Sequence, residues 1–282
     1  MFSTITKRLI EIALEEDIGA GDITTDSIIS QDEAGIGNIF AKEPLIVAGI
    51  DLARYVFFYL DKEINFKPAC RDGDKIEKGD SIALLEGSLN TLLKGERTAL
   101  NFLQRLSGIA TLTRNYIKEL GNNSTRIVDT RKTTPGWRAL EKYAVRIGGA
   151  YNHRMGLYDG ILIKDNHIAC SGGIKKAVDM ARKKAHHLLK IEVEVQNFDE
   201  LHEALSVNAD VIMLDNMNIE EIKKALEIID HRAIVEVSGG IKKENISDLA
   251  ETGIDIISIG ALTHSAKAVD ISMDITRHNI CI

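Results

Sequence analysis

From residue 126 onward the chain keeps one rhythm: short β-rich apolar runs separated by stretches of helical periodicity. The runs fall at 126–129, 160–164, 191–195, 211–214, 234–237 and 256–259, with helical patterns at 174–186, 198–206 and 219–229 between some of them. Strands alternating with helices form right-handed parallel βαβ units, so the fold class is α/β, and six such runs admit an α/β barrel or an open wound sheet. No Gly-x-Gly-x-x-Gly follows a strand and opens a helix, which disfavours the dinucleotide-binding version and favours the barrel.

Before residue 108 the pattern is mixed. An amphipathic helix is expected over 5–14, with Thr4 or Thr6 as its cap, then strands near 36–42 and 45–48, an apolar helix over 52–60 and a turn-rich β segment ending at 81–86. A helix is expected from Leu92 to about Ser107, with Leu93, Ala99, Leu100, Leu103 and Leu106 on its apolar side. The segment Gly73-Asp74-Lys75-Ile76-Glu77-Lys78-Gly79-Asp80 resembles a biotinyl or lipoyl carrier. The hairpin tip that would need a lysine is Gly87-Ser88-Leu89-Asn90, so the segment is read as a structural strand pair.

Composition excludes several functions. A net charge of −7 and a single tryptophan, Trp137, argue against a nucleic-acid binder. Cys70, Cys170 and Cys281 lie far apart, without metal-ligand spacing, as expected for a reducing compartment. Acidic residues 11–17 spoil any N-terminal targeting helix, and no apolar run reaches the roughly 20 residues of a membrane span, so a cytoplasmic location is expected.

The chemistry is expected at the strand ends, which converge on one mouth in a parallel barrel. The first run leads through Asp129 and Thr130 to Arg131-Lys132, and the second ends in Lys164-Asp165-Asn166-His167. The third carries Glu192 and Glu194 on one face, and the fourth ends in Asp215-Asn216. Glu192 could be a site residue or half of a structural ion pair. Ser238-Gly239-Gly240 and Gly260-Ala261-Leu262 are small-residue turns suited to a phosphate. Arg131, Lys132, His153, Arg154 and Lys164 gather near the first two strand ends, which in an acidic chain implies a pocket for several negative charges; a solvated His153-Arg154 surface pair is the alternative.

These residues resemble the quinolinate phosphoribosyltransferase family. The resemblance rests on Asp129-Thr130-Arg131-Lys132-Thr133-Thr134-Pro135-Gly136, His153-Arg154, Ile163-Lys164-Asp165-Asn166-His167, Glu192-Val193-Glu194-Val195, Met213-Leu214-Asp215-Asn216, Ser238-Gly239-Gly240-Ile241 and Ile259-Gly260-Ala261-Leu262-Thr263-His264. It extends forward to Glu16-Asp17, Gly21-Asp22-Ile23-Thr24 and Gly95-Glu96-Arg97-Thr98. It implies an N-terminal α/β sandwich domain (1–108, with 270–282 returning to it) and an open, seven-stranded α/β barrel (109–269). Six strands are readable, and the seventh is not.

The resemblance also implies a reaction: transfer of phosphoribosyl from phosphoribosyl pyrophosphate to quinolinate, with loss of carbon dioxide, giving nicotinate mononucleotide. By position, Thr130, Arg131, His153, Arg154 and Lys164, with Arg97 from a neighbouring subunit, would hold quinolinate. Lys132 and Lys164 would meet pyrophosphate. Glu194 and Asp215 would hold the ribose hydroxyls and magnesium, directly or through water. Ser238, Gly239, Gly240, Gly260, Ala261 and Leu262 would cradle the 5′-phosphate, with His264 nearby. Lys132, Lys164, Glu194 and Asp215 are the expected catalytic residues, Mg2+ the expected cofactor, and a homodimer or larger homo-oligomer the expected assembly. The alternatives are a paralogue acting on another acid, a nicotinate phosphoribosyltransferase, and a binding protein without turnover.

Overall fold

The computed structural model describes residues 3–278; Cys281 and the end of the expected returning tail lie outside the described residues. The chain divides into two compact units, the first made of residues up to Arg114, Thr134–Gly149 and the stretch from Ser265, the second of Asn115–Thr133 and Ala150–His264.

The first unit begins with helix Thr4–Ile18, capped not by a threonine but by Ser3, whose side chain accepts from the Thr6 amide at 3.2 Å. Its strands are β1 (Ala34–Ala41), β2 (Leu45–Ile46), β3 (Asn65–Pro68), β4 (Lys75–Ile76) and β5 (Ser81–Ser88). β1 alternates buried and less buried residues, the signature of a sheet with one covered face. The antiparallel sheet includes a strand from the far end of the chain, Ile271–Arg277, which pairs with β1 from Ala41↔Ile271 to Gly35↔Arg277.

A helix runs over Leu89–Leu120, well past the expected stop near Ser107. Ser107 and Gly108 serve packing there. The Ser107 hydroxyl accepts from the Ala48 amide at 3.0 Å and donates to the Ala48 carbonyl, and a Cβ at Gly108 would be driven into the carbonyl oxygen of Lys267. A small residue inside a helix can permit a close approach as readily as it can end the helix.

The second unit is built on six parallel strands: β6 (Arg126–Val128), β7 (Ile161–Ile163), β8 (Ile191–Val195), β9 (Val211–Asp215), β10 (Ile234–Ser238) and β11 (Ile256–Ser258). Their order is β6-β11-β10-β9-β8-β7. Helices Ile174–Lys184, Phe198–Ser206, Ile219–Ile229 and Ile246–Glu251 connect them from β7 onward. The caps are legible in the sequence: Asn197 accepts from the Glu200 amide, and Asn218 with Glu221 forms a capping box.

The seventh strand position is a single residue. Tyr151 makes a parallel bridge to Val128 on the free edge of β6, its amide donating to the Ile127 carbonyl at 2.9 Å and its carbonyl accepting from the Asp129 amide at 3.2 Å. No bridge joins this segment to β7 among the described residues, so the barrel is open there.

Candidate active site

Register fixes which side chains face inward. Paired residues of adjacent parallel strands share a face. Glu194 pairs with Met213, and Met213 with Glu236; one step toward the C-terminal ends, Asp215 pairs with Ser238. Met213, Asp215, Glu194, Glu236 and Ser238 accordingly line one cavity of about 580 Å³, together with Leu162, Lys164 and Ser258. The loops add Thr130, Arg131, Lys132, His153, Arg154, Asn216, Gly239 and Gly240.

The positive side of the cavity is strained electrostatically. Burial, and next the charge of Arg131, lowers the pKa of the Arg154 guanidinium. One Arg154 nitrogen, Nη1, donates to the Gly160 carbonyl at 2.9 Å, but Nε is buried without a hydrogen-bond partner. A buried donor beside a like charge is a site prepared for an anion. Lys164 Nζ lies 2.6 Å from Glu194 Oε2, linking the cationic side to the carboxylate side. Asp215 accepts from the Asn216 side chain at 2.7 Å.

The phosphate-type turns are tightly made. Gly239 has φ +89, and a Cβ there would collide with the Asn216 side chain, so only glycine fits. Gly260 lies against Lys132 Cδ and the His264 ring, and Thr263 Oγ1 donates to the Lys132 carbonyl at 2.7 Å. Ala261 and Leu262 open the short helix Ala261–His264, with Leu262 buried. Lys132 is held from its other side by Thr130, whose hydroxyl accepts from the Lys132 amide at 3.0 Å.

Asp129 ends its strand differently from the other polar strand ends. It is fully buried, and its carboxylate accepts from the His153 amide at 2.9 Å and from the Asn152 side chain at 2.6 Å. It anchors the segment that carries His153 and Arg154. Both of those residues are half-buried cavity residues rather than a solvated pair.

The hydrogen-bond network sets the His153 tautomer. The Arg154 amide donates to Nδ1 at 2.8 Å, so Nδ1 holds a lone pair and the ring proton sits on Nε2, 3.2 Å from Glu192 Oε2. Glu192 is thereby half of a buried His–carboxylate pair. Arg97 belongs to the first unit, exposed on helix Leu89–Leu120, and is not among the residues lining this cavity.

Sequence reading gave no role to Glu236, Ser258 or Leu162, and met Met213 and Asn216 only as neighbours of Asp215 in a motif. For Glu236 a signal existed: a glutamate inside the apolar run Ile234-Val235-Glu236-Val237, the same anomaly that drew attention to Glu192. It is 2 % exposed, and burial, then the negative charge of Glu192, pushes its pKa up to about 7.

Comparisons with known proteins agree with this architecture. Two family models match, "Quinolinate phosphoribosyl transferase, N-terminal domain" over residues 22–107 and "C-terminal domain" over 109–274. The chain is 46% identical over 273 residues to a probable carboxylating nicotinate-nucleotide pyrophosphorylase of Bacillus subtilis, covering 97% of this chain and 94% of that one. It is 47% identical over 287 residues to the Methanocaldococcus jannaschii protein of the same description, covering 99% and 100%. Among solved structures, NadC from Streptococcus pyogenes superposes with a TM-score of 0.94 at 41% identity, covering 99% of each chain.

Proposed function

Because the chain belongs to the quinolinate phosphoribosyltransferase family, we propose that it transfers phosphoribosyl from phosphoribosyl pyrophosphate to quinolinate with decarboxylation, releasing nicotinate mononucleotide, pyrophosphate and carbon dioxide. The observation that carries this reading is the unpartnered Nε of Arg154, buried beside Arg131 in a cavity whose far side is carboxylate. A dianionic pyridine acid would supply the missing charge, and an activated sugar would meet Glu194 and Asp215.

Arg131, Arg154 and Lys164 hold the two carboxylates of quinolinate, with Thr130 and His153 shaping that end of the cavity. Glu194 and Asp215 hold the ribose hydroxyls and stabilise the positive charge that grows on the sugar as pyrophosphate departs. The turns at Ser238–Gly240 and Gly260–Leu262, with His264 beside the second, cradle the 5′-phosphate, while Lys132 and Lys164 draw the pyrophosphate. Mg2+ belongs to this reading: Glu194 and Asp215, both oxygen donors lining the cavity, would hold it directly or through water. When bound, that ion would neutralise charge on the diphosphate. Orientation and fixed charge supply the rate, with no covalent nucleophile.

Two further readings complete the proposal. A second copy of the chain brings Arg97 to the site, making the working unit a homodimer or a larger homo-oligomer. The location is cytoplasmic; among the described residues no helix is long and apolar enough to cross a membrane. The test of function is direct. Protein incubated with quinolinate, phosphoribosyl pyrophosphate and magnesium should release carbon dioxide and pyrophosphate in equal amounts. Turnover of nicotinate without carbon dioxide would overturn the assignment.

A further inference from the structure

Glu192 and Glu236, with His153 beside them, form a cluster whose two buried carboxylates the transfer step does not employ. Their candidate ligand atoms all lie within 4.8 Å of one another, and one oxygen on each glutamate, both labelled Oε1, is buried without a hydrogen-bond partner. Either a metal ion or a proton could complete such a group. The imidazole decides between them. A neutral ring that ligates through Nε2 carries its proton on Nδ1. Here Nδ1 accepts from the Arg154 amide, so Nε2 keeps the proton and has no lone pair to give.

A proton fits where a metal does not. Two carboxylates this close in a dry site cannot both be ionised without a large cost, and a proton on one of them relieves it. Glu236 is the deeper of the two, at 2 % exposure against 8 % for Glu192. Its rise to about 7 has burial as its first cause and the charge of Glu192 as its second. The groups facing it are Glu192 on β8, His153 beyond the Tyr151 bridge and the Ser258 hydroxyl on β11.

Glu236 also lines the cavity that holds Arg131, Arg154 and Lys164. Loss of carbon dioxide leaves an electron pair on a ring carbon, and that carbon needs a proton. The guanidinium groups do not give one up, Lys164 is engaged with Glu194, and Lys132 is taken up by the pyrophosphate in the reading above. We propose that Glu236, as its carboxylic acid, donates the proton that takes the place of carbon dioxide on the pyridine ring. The bond from the ring carbon to the carboxylate breaks and its electron pair stays on the ring. That pair takes the O–H proton, Glu236 becomes a carboxylate, and a solvent proton restores the acid before the next turnover. Glu192 and His153 are positioning residues for this acid. The proposal rests on the decarboxylating reading above.

The test uses the full-length protein and Glu236→Gln. The variant should lose about a hundredfold or more in kcat, the usual scale for removing a general acid, while calorimetry gives unchanged quinolinate affinity. Difference infrared spectroscopy of the substrate-free wild-type protein near neutral pH should show a buried carboxylic-acid carbonyl band that is absent from the variant. A variant with wild-type kcat, a variant whose quinolinate affinity falls with its rate, or a wild-type protein without the band would each overturn the proposal. Wild-type protein that releases no carbon dioxide would overturn the decarboxylating reading itself, and the proposal with it.

Discussion

At the scale of single residues, the cavity is governed by charges placed close to their own kind. Arg154 is the clearest case, because its donor is buried and its neighbour is another arginine. Truncating it should therefore affect the anionic acid far more than the sugar donor. Arg154→Ala is expected to raise the KM for quinolinate tenfold or more, roughly 1.4 kcal/mol, with a much smaller change for phosphoribosyl pyrophosphate. Steady-state kinetics with each substrate varied in turn provides the check, and equal effects on both would remove Arg154 from the clamp. Glu236 makes a separate prediction about stability. Its ordinary value is 4.5 and the fold raises it to about 7, so between those values the folded state binds more protons than the unfolded chain. Stability from this group accordingly falls as pH rises through that window, by on the order of 3 kcal/mol, and the penalty is complete above it. Glu236→Gln should flatten the slope, so its melting temperature gains on that of the wild type as the buffer is moved from acid to mildly alkaline.

At the scale of elements, the helix Leu89–Leu120 reverses a common rule. Alanine for glycine inside a helix ordinarily stabilises by about 1 kcal/mol. At Gly108 the added methyl group meets the Lys267 carbonyl, so Gly108→Ala should instead destabilise by about 2 kcal/mol or more, read as a lowered thermal midpoint. The same position shows where the sequence misleads. Ser107-Gly108 has the chemistry of a helix end, and only the chain segment packed against it reveals another use. The six barrel strands were legible because each is an apolar run followed by polar residues. The seventh was not, because one bridging residue, Tyr151, leaves no periodicity to read. Of the cavity, the basic residues, Glu194, Asp215 and the Ser238–Gly240 turn were legible from strand ends alone, while Gly260–Leu262 is not among its lining residues. Glu236 lies mid-strand, where attention to strand ends does not reach, and the orientation of the His153 ring depends on a backbone amide that no residue type discloses.

At the scale of the whole molecule, the proposed assembly can be tested by mixing defects. If Arg97 completes a neighbour's cavity, Arg97→Ala and Lys164→Ala are each inactive alone. Refolded together they should recover about a quarter of the wild-type rate, since half of randomly formed dimers are mixed and each holds one intact site. An arginine serving its own subunit would give no recovery. The strand Ile271–Arg277 carries a different consequence, for synthesis. It is the partner of β1, so the strand that emerges first from the ribosome waits for one made more than two hundred residues later. Until then β1 offers an unpaired edge to every other nascent chain, which is the circumstance that favours aggregation and chaperone capture. A chain cut before Ile271 would keep every parallel barrel strand but lack the ribbon that closes the opening sheet.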